Sequence, residues 1–283
     1  MFFNPFPTPG IGLASHLRHN CNNLYRVTFF TIQIPQEVLI LCMDLTLVVF
    51  LTLFASSIGT MTGFGTSTLM VPILSLFLPI PVTLLFVGMI HWFGNIWKML
   101  FFKSGFNWKL ILLFGVPGII VSFFAAILPL ALQETLLQQL LGLFLVAYVS
   151  YLFYKPKWEI SASTSNALLG GSLSGFFAGI FGVGGAIRGT FLTAFDLKKS
   201  VYIFTSGVIG FLIDTSRISQ YFLGGTRLNT NLTLALAFCI PVSLIGAYIA
   251  KRLIDKTPQK SFRTFIAIAL LLVGIRYLLG GLF

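Results

Sequence analysis

Gly63-Phe64-Gly65-Thr66-Ser67-Thr68 returns further along the chain as Gly182-Val183-Gly184-Gly185-Ala186-Ile187, an offset of 119 residues (182 minus 63). The offset holds without a gap afterwards: Gly88 falls on Gly207, Ile90 on Ile209, Asn95 on Asp214, Lys98 on Arg217 and Gly105 on Gly224. Self-similarity at a fixed offset marks a duplicated unit, and duplicated membrane units with interrupted helices are the common build of secondary transporters.

The stretches around both copies are apolar. Of 283 residues, 57% are hydrophobic and 9% charged, and phenylalanine alone supplies 31. The mean hydropathy is +0.95. Soluble domains carry about 25% charged residues, so this composition suits a chain solvated by lipid. The formal net charge of +11 comes from basic residues in short loops between apolar stretches. That pattern encodes membrane topology and excludes a nucleic-acid footprint. Cys21, Cys42 and Cys239 make an odd count with no CxxC spacing, so neither a disulfide framework nor a metal centre is expected, and no cofactor is implied. The leader with Pro5, Pro7 and Pro9 lacks the charged-then-apolar layout of a cleavable signal, which leaves the first membrane segment to direct insertion.

Apolar stretches between charged and Gly/Pro breaks define ten segments: 38–62, 66–79, 82–102, 109–130 and 134–153, then 165–181, 186–197, 200–222, 231–250 and 262–281. The expected organisation is a polar or interfacial leader 1–37, membrane repeat 38–153, linker 154–164 and membrane repeat 165–283. If the short segments cross, one side holds Lys103, Lys109, Lys155, Lys157, Lys198, Lys199, Lys251, Arg252, Lys256, Lys260 and Arg263, and the other only Arg18, Arg26 and Arg227. If they are re-entrant, four of those lysines change sides and the contrast collapses. The positive-inside rule therefore favours ten crossings with both termini outside the cytoplasm, and the expected location is the plasma (inner) membrane. Five crossings per unit is odd, so the units are expected to be inverted with respect to each other.

From Ala186 to Leu197 is twelve residues, roughly 18 Å of helix at about 1.5 Å per residue. The hydrocarbon core is about 30 Å thick. With Lys198 and Lys199 at the surface, the glycine stretch must sit inside the membrane, and Gly63–Thr68 does so from the opposite face. Irregular backbone at that depth survives where it is buried in protein or lines a wet cavity. A helix starting there turns unsatisfied N–H groups and the positive end of its dipole inward. Two such ends suit a small anion, with Gly63, Gly65, Gly182, Gly184 and Gly185 allowing close approach and Thr66, Ser67 and Thr68 adding hydroxyls. The plainer reading is that these glycines serve helix packing.

Arg188 lies one turn into the second short segment, where a charge costs about 2.5–3.5 kcal/mol on insertion scales. It calls for an anionic partner, either cargo or a carboxylate, and Asp196 is poorly placed to be one. His91, Asn95 and Lys98 share one helix face, and Asp214, Arg217 and Tyr221 share the corresponding one. In an inverted pair Lys98 lies toward the cytoplasmic end and Arg217 toward the outer end, as two cationic vestibules. Alternatively Lys98 snorkels and Arg217 pairs with Asp214. His91, alone among histidines within a span, is a candidate proton carrier or a hydrogen-bonded structural group, and Asp44 is a second candidate. Pro117 and Pro241 occupy matching places in the fourth span of each unit and predict kinks there.

At these residues the chain resembles the TauE/SafE family of sulfite exporters and organosulfonate permeases, whose members carry Gly-x-Gly-Gly-Gly, an apolar run and a proline in each half. Gly63-Phe64-Gly65-Thr66-Ser67 with Pro72 is similar in outline, and Gly182-Val183-Gly184-Gly185-Ala186 more closely, with Phe191 at the place of the proline. Phe204-Thr205-Ser206-Gly207 resembles the family's Gly-Thr-Ser element, and Arg217 to Gly224 its Arg/Lys-x-x-x-Tyr-x-x-Gly segment. The resemblance covers about residues 38–282 and implies an all-α transporter of sulfite, thiosulfate, sulfoacetate or related organosulfonates, with Thr205 and Ser206 beside the cargo. Departures at Ser67, Ala186 and Phe191 leave the cargo open. The expected partners are a small anion, the lipid bilayer and a possible second copy of the chain. The rival readings are an anion channel and a non-transporting scaffold. An enzyme is disfavoured because the membrane-depth region has no paired carboxylates, nucleophile elbow or metal cluster.

Overall fold

The computed structural model describes residues 45–63, 65–103, 105–154, 160–253 and 259–280, all within the unit Leu45–Phe283. The expected leader 1–37, Asp44, Cys21, Cys42, Lys155, Lys157 and Lys256 lie outside the described residues, as do the side chains of Lys260 and Arg263. Every regular element among the described residues is helical. The first unit comprises α1 (Leu45–Thr62), α2 (Ser67–Leu74), α3 (Ile80–Phe101), α4 (Trp108–Ala125), the short α5 (Leu128–Ala131) and α6 (Glu134–Tyr154). The second comprises α7 (Thr164–Phe181), α8 (Gly184–Thr193), α9 (Lys199–Leu223), α10 (Thr230–Leu253) and α11 (Gln259–Gly280).

The described part of each of the ten expected segments carries a helix, and the fourth of the first unit is divided between α4 and α5. Among the described residues, five stretches are long and apolar enough to cross a membrane: Leu45–Thr62, Ile80–Phe101, Trp108–Ala131, Lys199–Leu223 and Thr230–Leu253. Local signals set the ends. The Asn107 side chain accepts from the Leu110 amide at 3.1 Å to open α4, and Ser163 accepts from the Asn166 amide at 3.2 Å to open α7. Pro117 and Pro241 sit inside α4 and α10.

Polarity runs from the inside out. Phe50, Phe54, Leu112, Ile120 and Phe124 are exposed, whereas Arg188, Arg217, Tyr221 and Lys98 are among the largest fully buried side chains. A lipid solvent explains this arrangement, because apolar side chains lose nothing by facing hydrocarbon while charged ones must be sheltered.

The helices pack symmetrically under exchange of the units. The first helix of each unit lies on the fourth of the other (α1 on α10, α7 on α4), third lies on third (α3 on α9), and fifth on fifth (α6 on α11). Repeat-related residues meet at the centre of this arrangement. Asn95 donates to its counterpart Asp214, and the rings of Trp92 and its counterpart Phe211 pack at a 32° tilt with centroids 4.8 Å apart.

Between α4 and α7 the approach is backbone to backbone. A Cβ at Gly175 would strike the Gly118 carbonyl, and one at Gly179 would stand 2.7 Å from the Ser122 oxygen. Gly175→Val is therefore expected to cost about 1–3 kcal/mol by overpacking, read as a lowered melting temperature in detergent.

Candidate functional site

The two glycine breaks are built alike at their first residue and differently thereafter. Gly63 (φ 76°) and its counterpart Gly182 (φ 69°) both adopt the left-handed conformation that ends the preceding helix. After Gly182 the chain re-enters helix at Gly184; after Gly63 it passes through a second left-handed residue, Gly65 (φ 83°), and re-enters only at Ser67. The Gly65 amide meanwhile reaches back to the Gly59 carbonyl at 3.0 Å, and that of Val183 to Phe177 at 3.3 Å. Thr66, Ser67 and Thr68 are all buried, and Ser67 Oγ has no hydrogen-bond partner among the described residues.

Some expected site residues have other occupations. Gly184 faces α7, where the Ser174 hydroxyl donates to its carbonyl at 2.9 Å and a Cβ would overlap Ser174. Its role in this arrangement is close packing. Gly185 lies in the buried first turn of α8. The Thr205 hydroxyl accepts from the Asn107 amide at 3.4 Å, tying α9 to the start of α4, while Ser206 accepts from Arg188 Nε at 3.0 Å.

The six residues read from sequence as vestibule or coupling candidates lie close together on α3 and α9. Five of them make one buried network at the crossing of α3 and α9. Asp214 is its centre: Arg217 Nε donates to Oδ1 at 2.8 Å, Asn95 Nδ2 donates to Oδ2 at 2.8 Å, and His91 Nδ1 stands 2.8 Å from Oδ2, off its own N–H axis. Lys98 donates to Asn95 Oδ1 at 3.1 Å and is buried, so it does not snorkel. Tyr221, the sixth, donates to the Gly179 carbonyl at 2.5 Å and clamps α9 to α7. The reason for this closeness is the absence of side chains at Gly207 and Gly210, which lets α9 close on Asn95 and Lys98.

This network spans the interval between the breaks. At one end His91 Nε2 abuts Gly65, so that a Cβ there would collide with it. At the other end Arg217 Nη1 donates to the Leu84 carbonyl at 3.4 Å and stands 3.6 Å from where a Gly182 Cβ would lie. The Arg188 guanidinium joins beside it: Arg188 Nη2 and Asn95 Nδ2 lie 2.8 and 2.7 Å from the Cβ position of Gly210. Lys98, Arg188 and Arg217 thus face a single carboxylate, Asp214, and two positive charges go uncompensated among the described residues. Arg188 Nη2 and Arg217 Nη2 also lack hydrogen-bond partners there, at 1% and 0% exposure of their residues. Buried guanidinium donors with nothing to bind are costly, and an anion seated beside them would remove the cost.

A cavity of about 400 Å³ lies between the end of α1 (Met61, Thr62) and the α8–α9 connection (Thr193, Asp196, Leu197, Lys199), with Tyr202 and Ile203 on its wall. The Tyr202 hydroxyl is 2.7 Å from the Cβ position of Gly63, so the ring lies directly on the first break. Sequence reasoning passed over Tyr202, which no pattern distinguishes. It also passed over Gly210, for which a signal existed: Gly210 is the repeat counterpart of His91, and a histidine aligned with a glycine marks room for another side chain.

Comparison with known proteins follows the same lines. A family profile described as "Sulfite exporter TauE/SafE" matches residues 48–277. A protein of Methanocaldococcus jannaschii described as a "Probable membrane transporter protein" is 25% identical over 248 residues, covering 78% of this chain and 91% of its own length. No solved structure matches the chain.

Proposed function

The chain belongs to the sulfite exporter TauE/SafE family, and from that premise we propose that it is a secondary transporter of small sulfur-containing anions such as sulfite, thiosulfate, sulfoacetate or related organosulfonates. It works by alternating access in the plasma membrane, with ten crossings in two inverted five-helix units and both termini outside the cytoplasm. The distribution of loop lysines and arginines and the exchange-symmetric helix packing support this topology.

One observation carries the cargo assignment: Arg188 is buried on a broken-helix segment, donates through Nε to the neutral Ser206 hydroxyl, and keeps Nη2 unpartnered among the described residues. An oxyanion accepts from planar guanidinium donors in pairs. In this reading the anion sits against Arg188, Ser206 and Ser67 and the first-turn amides of α2 and α8. Gly63, Gly65, Gly182, Gly184 and Gly185 set the backbone, and Thr66, Thr68 and Thr205 close the surroundings. The M. jannaschii relative's description as a membrane transporter agrees with the general class.

The test is a proteoliposome panel of sulfite, thiosulfate, sulfoacetate, taurine, sulfate and a carboxylate control. Saturable counterflow of at least one sulfur oxyanion is expected; movement of cations with none of these anions would discard the site. Single-channel currents would make the protein a channel. Within that assay Gly210→Ala is expected to lower cargo affinity about tenfold, because its Cβ displaces the Arg188 head by a fraction of an ångström and binding geometry is sensitive on that scale.

A further inference from the structure

His91 sits at the junction of the charged network and the first helix break, and nothing in the transport reading uses it. A structural histidine inside a protein has its ring nitrogens hydrogen-bonded. Here the residue is 3% exposed, and neither ring nitrogen has an aligned partner among the described residues. Nδ1 stands 2.8 Å from Asp214 Oδ2. Nε2 is directed at the Gly65 backbone, where the cargo amides begin.

The charged groups around this ring act in opposite directions. From α9, Asp214 favours an imidazolium and Arg217 opposes it; Lys98 on α3 itself and Arg188 on α8 also oppose it. Tyr221 on α9 is engaged with Gly179. The described parts of α1, α2 and α5 bring no ionisable side chain. On α10, Cys239 is held by Thr52, and Lys251 and Arg252 lie at its far end over Phe101 and Tyr248. Glu134 at the start of α6 accepts from the Ile80 amide, at the opposite end of α3. With three cations against one carboxylate, a further positive charge on His91 is tolerated only when an anion joins the site.

The geometry points to His91 as the proton-binding site of the carrier, taking a proton at Nε2 as the cargo anion enters, so that one proton travels with each anion. This rests on the transport reading above. The proton comes from water on the loading side and leaves Nε2 to water on the other side as the cargo dissociates. Because the coupling is reciprocal, the anion holds the proton as firmly as the proton holds the anion. Cargo affinity should therefore rise about tenfold for each pH unit of acidification over the range where the free carrier leaves His91 neutral.

The experiment uses the full chain in proteoliposomes with thiosulfate and sulfoacetate, both fully ionised between about pH 6 and about pH 8, where imidazole changes charge. A pH dye in the lumen counts protons while labelled anion is counted in parallel. Expected are one proton per anion and accumulation driven by an acidic exterior. His91→Gln keeps an N–H donor but takes no proton; it should retain counterflow with weakened affinity and lose both proton movement and accumulation. Wild-type net anion uptake without proton movement overturns the proposal, as does a His91→Gln protein that still accumulates on a pH gradient. If neither probe exchanges at all, the transport reading itself fails and the proton site falls with it. Should His91→Gln not insert, the wild-type proton count decides alone.

Discussion

Arg188→Gln is expected to abolish anion flux, by at least about a hundredfold, while leaving the protein as stable as the parent or more so. Both halves of that expectation come from the same geometry. The guanidinium is buried, touches Ser206 Oγ through Nε, and shares Asp214 with Lys98 and Arg217 without a salt bridge to it. In the folded protein it is a cost, about 2.5–3.5 kcal/mol on insertion scales. Glutamine removes the charge and keeps a donor for Ser206. Cargo, by contrast, loses two charge-assisted hydrogen bonds, each contributing about 1.5–3 kcal/mol, and every 1.4 kcal/mol is tenfold in affinity. Thermal melts of purified protein and flux in proteoliposomes should move in opposite directions. If both fall together, Arg188 has a structural partner and the cargo assignment is lost.

Asp214→Asn is the converse case, with a large expected loss of stability. Asp214 is the only carboxylate within reach of Arg217, Asn95 and His91 among the described residues. Removing one partner of a buried ion pair costs about 3–5 kcal/mol, because the other charge remains. That is a large share of a total stability of about 5–15 kcal/mol. Asparagine adds a further conflict wherever its amide N–H₂ meets the donors of Arg217 or Asn95. Little folded protein is expected from this single variant. Adding Arg217→Gln should return more than half of the loss, since the two residues are coupled and their effects are not additive. A single variant that melts with the parent would show that Arg217 is balanced by something other than Asp214.

Much of the fold was legible because hydropathy and glycine placement speak directly about a membrane chain. The helix ends at Thr62, Phe181 and Leu223 follow from the breaks at Gly63, Gly182 and Gly224, and the short α2 and α8 from the few residues between a break and a surface. The Asp214–Arg217 pair was legible as an i, i+3 neighbour on one helix. What could not be read was which helices cross and how closely. Asn95 and Asp214 meet because α9 carries Gly207 and Gly210 at the crossing, a tertiary fact with no local signature. For the same reason the packing of Gly184 on Ser174 and the hold of Thr205 on the Asn107 amide could not be read from the motif. A sequence motif names the residue types at a turn and leaves their neighbours unstated.

The bond between Asn95 and Asp214 joins two positions that correspond under the 119-residue offset. In a homodimer of half-length ancestors, that place would set a residue against its own copy: two carboxylates repelling, or two amides with no charge to offer the neighbouring cations. Within one polypeptide the two positions are free to differ, and a lone anion can stand where symmetry would demand a matched pair. Neither half of this chain, expressed alone and left to associate with itself, could rebuild the centre.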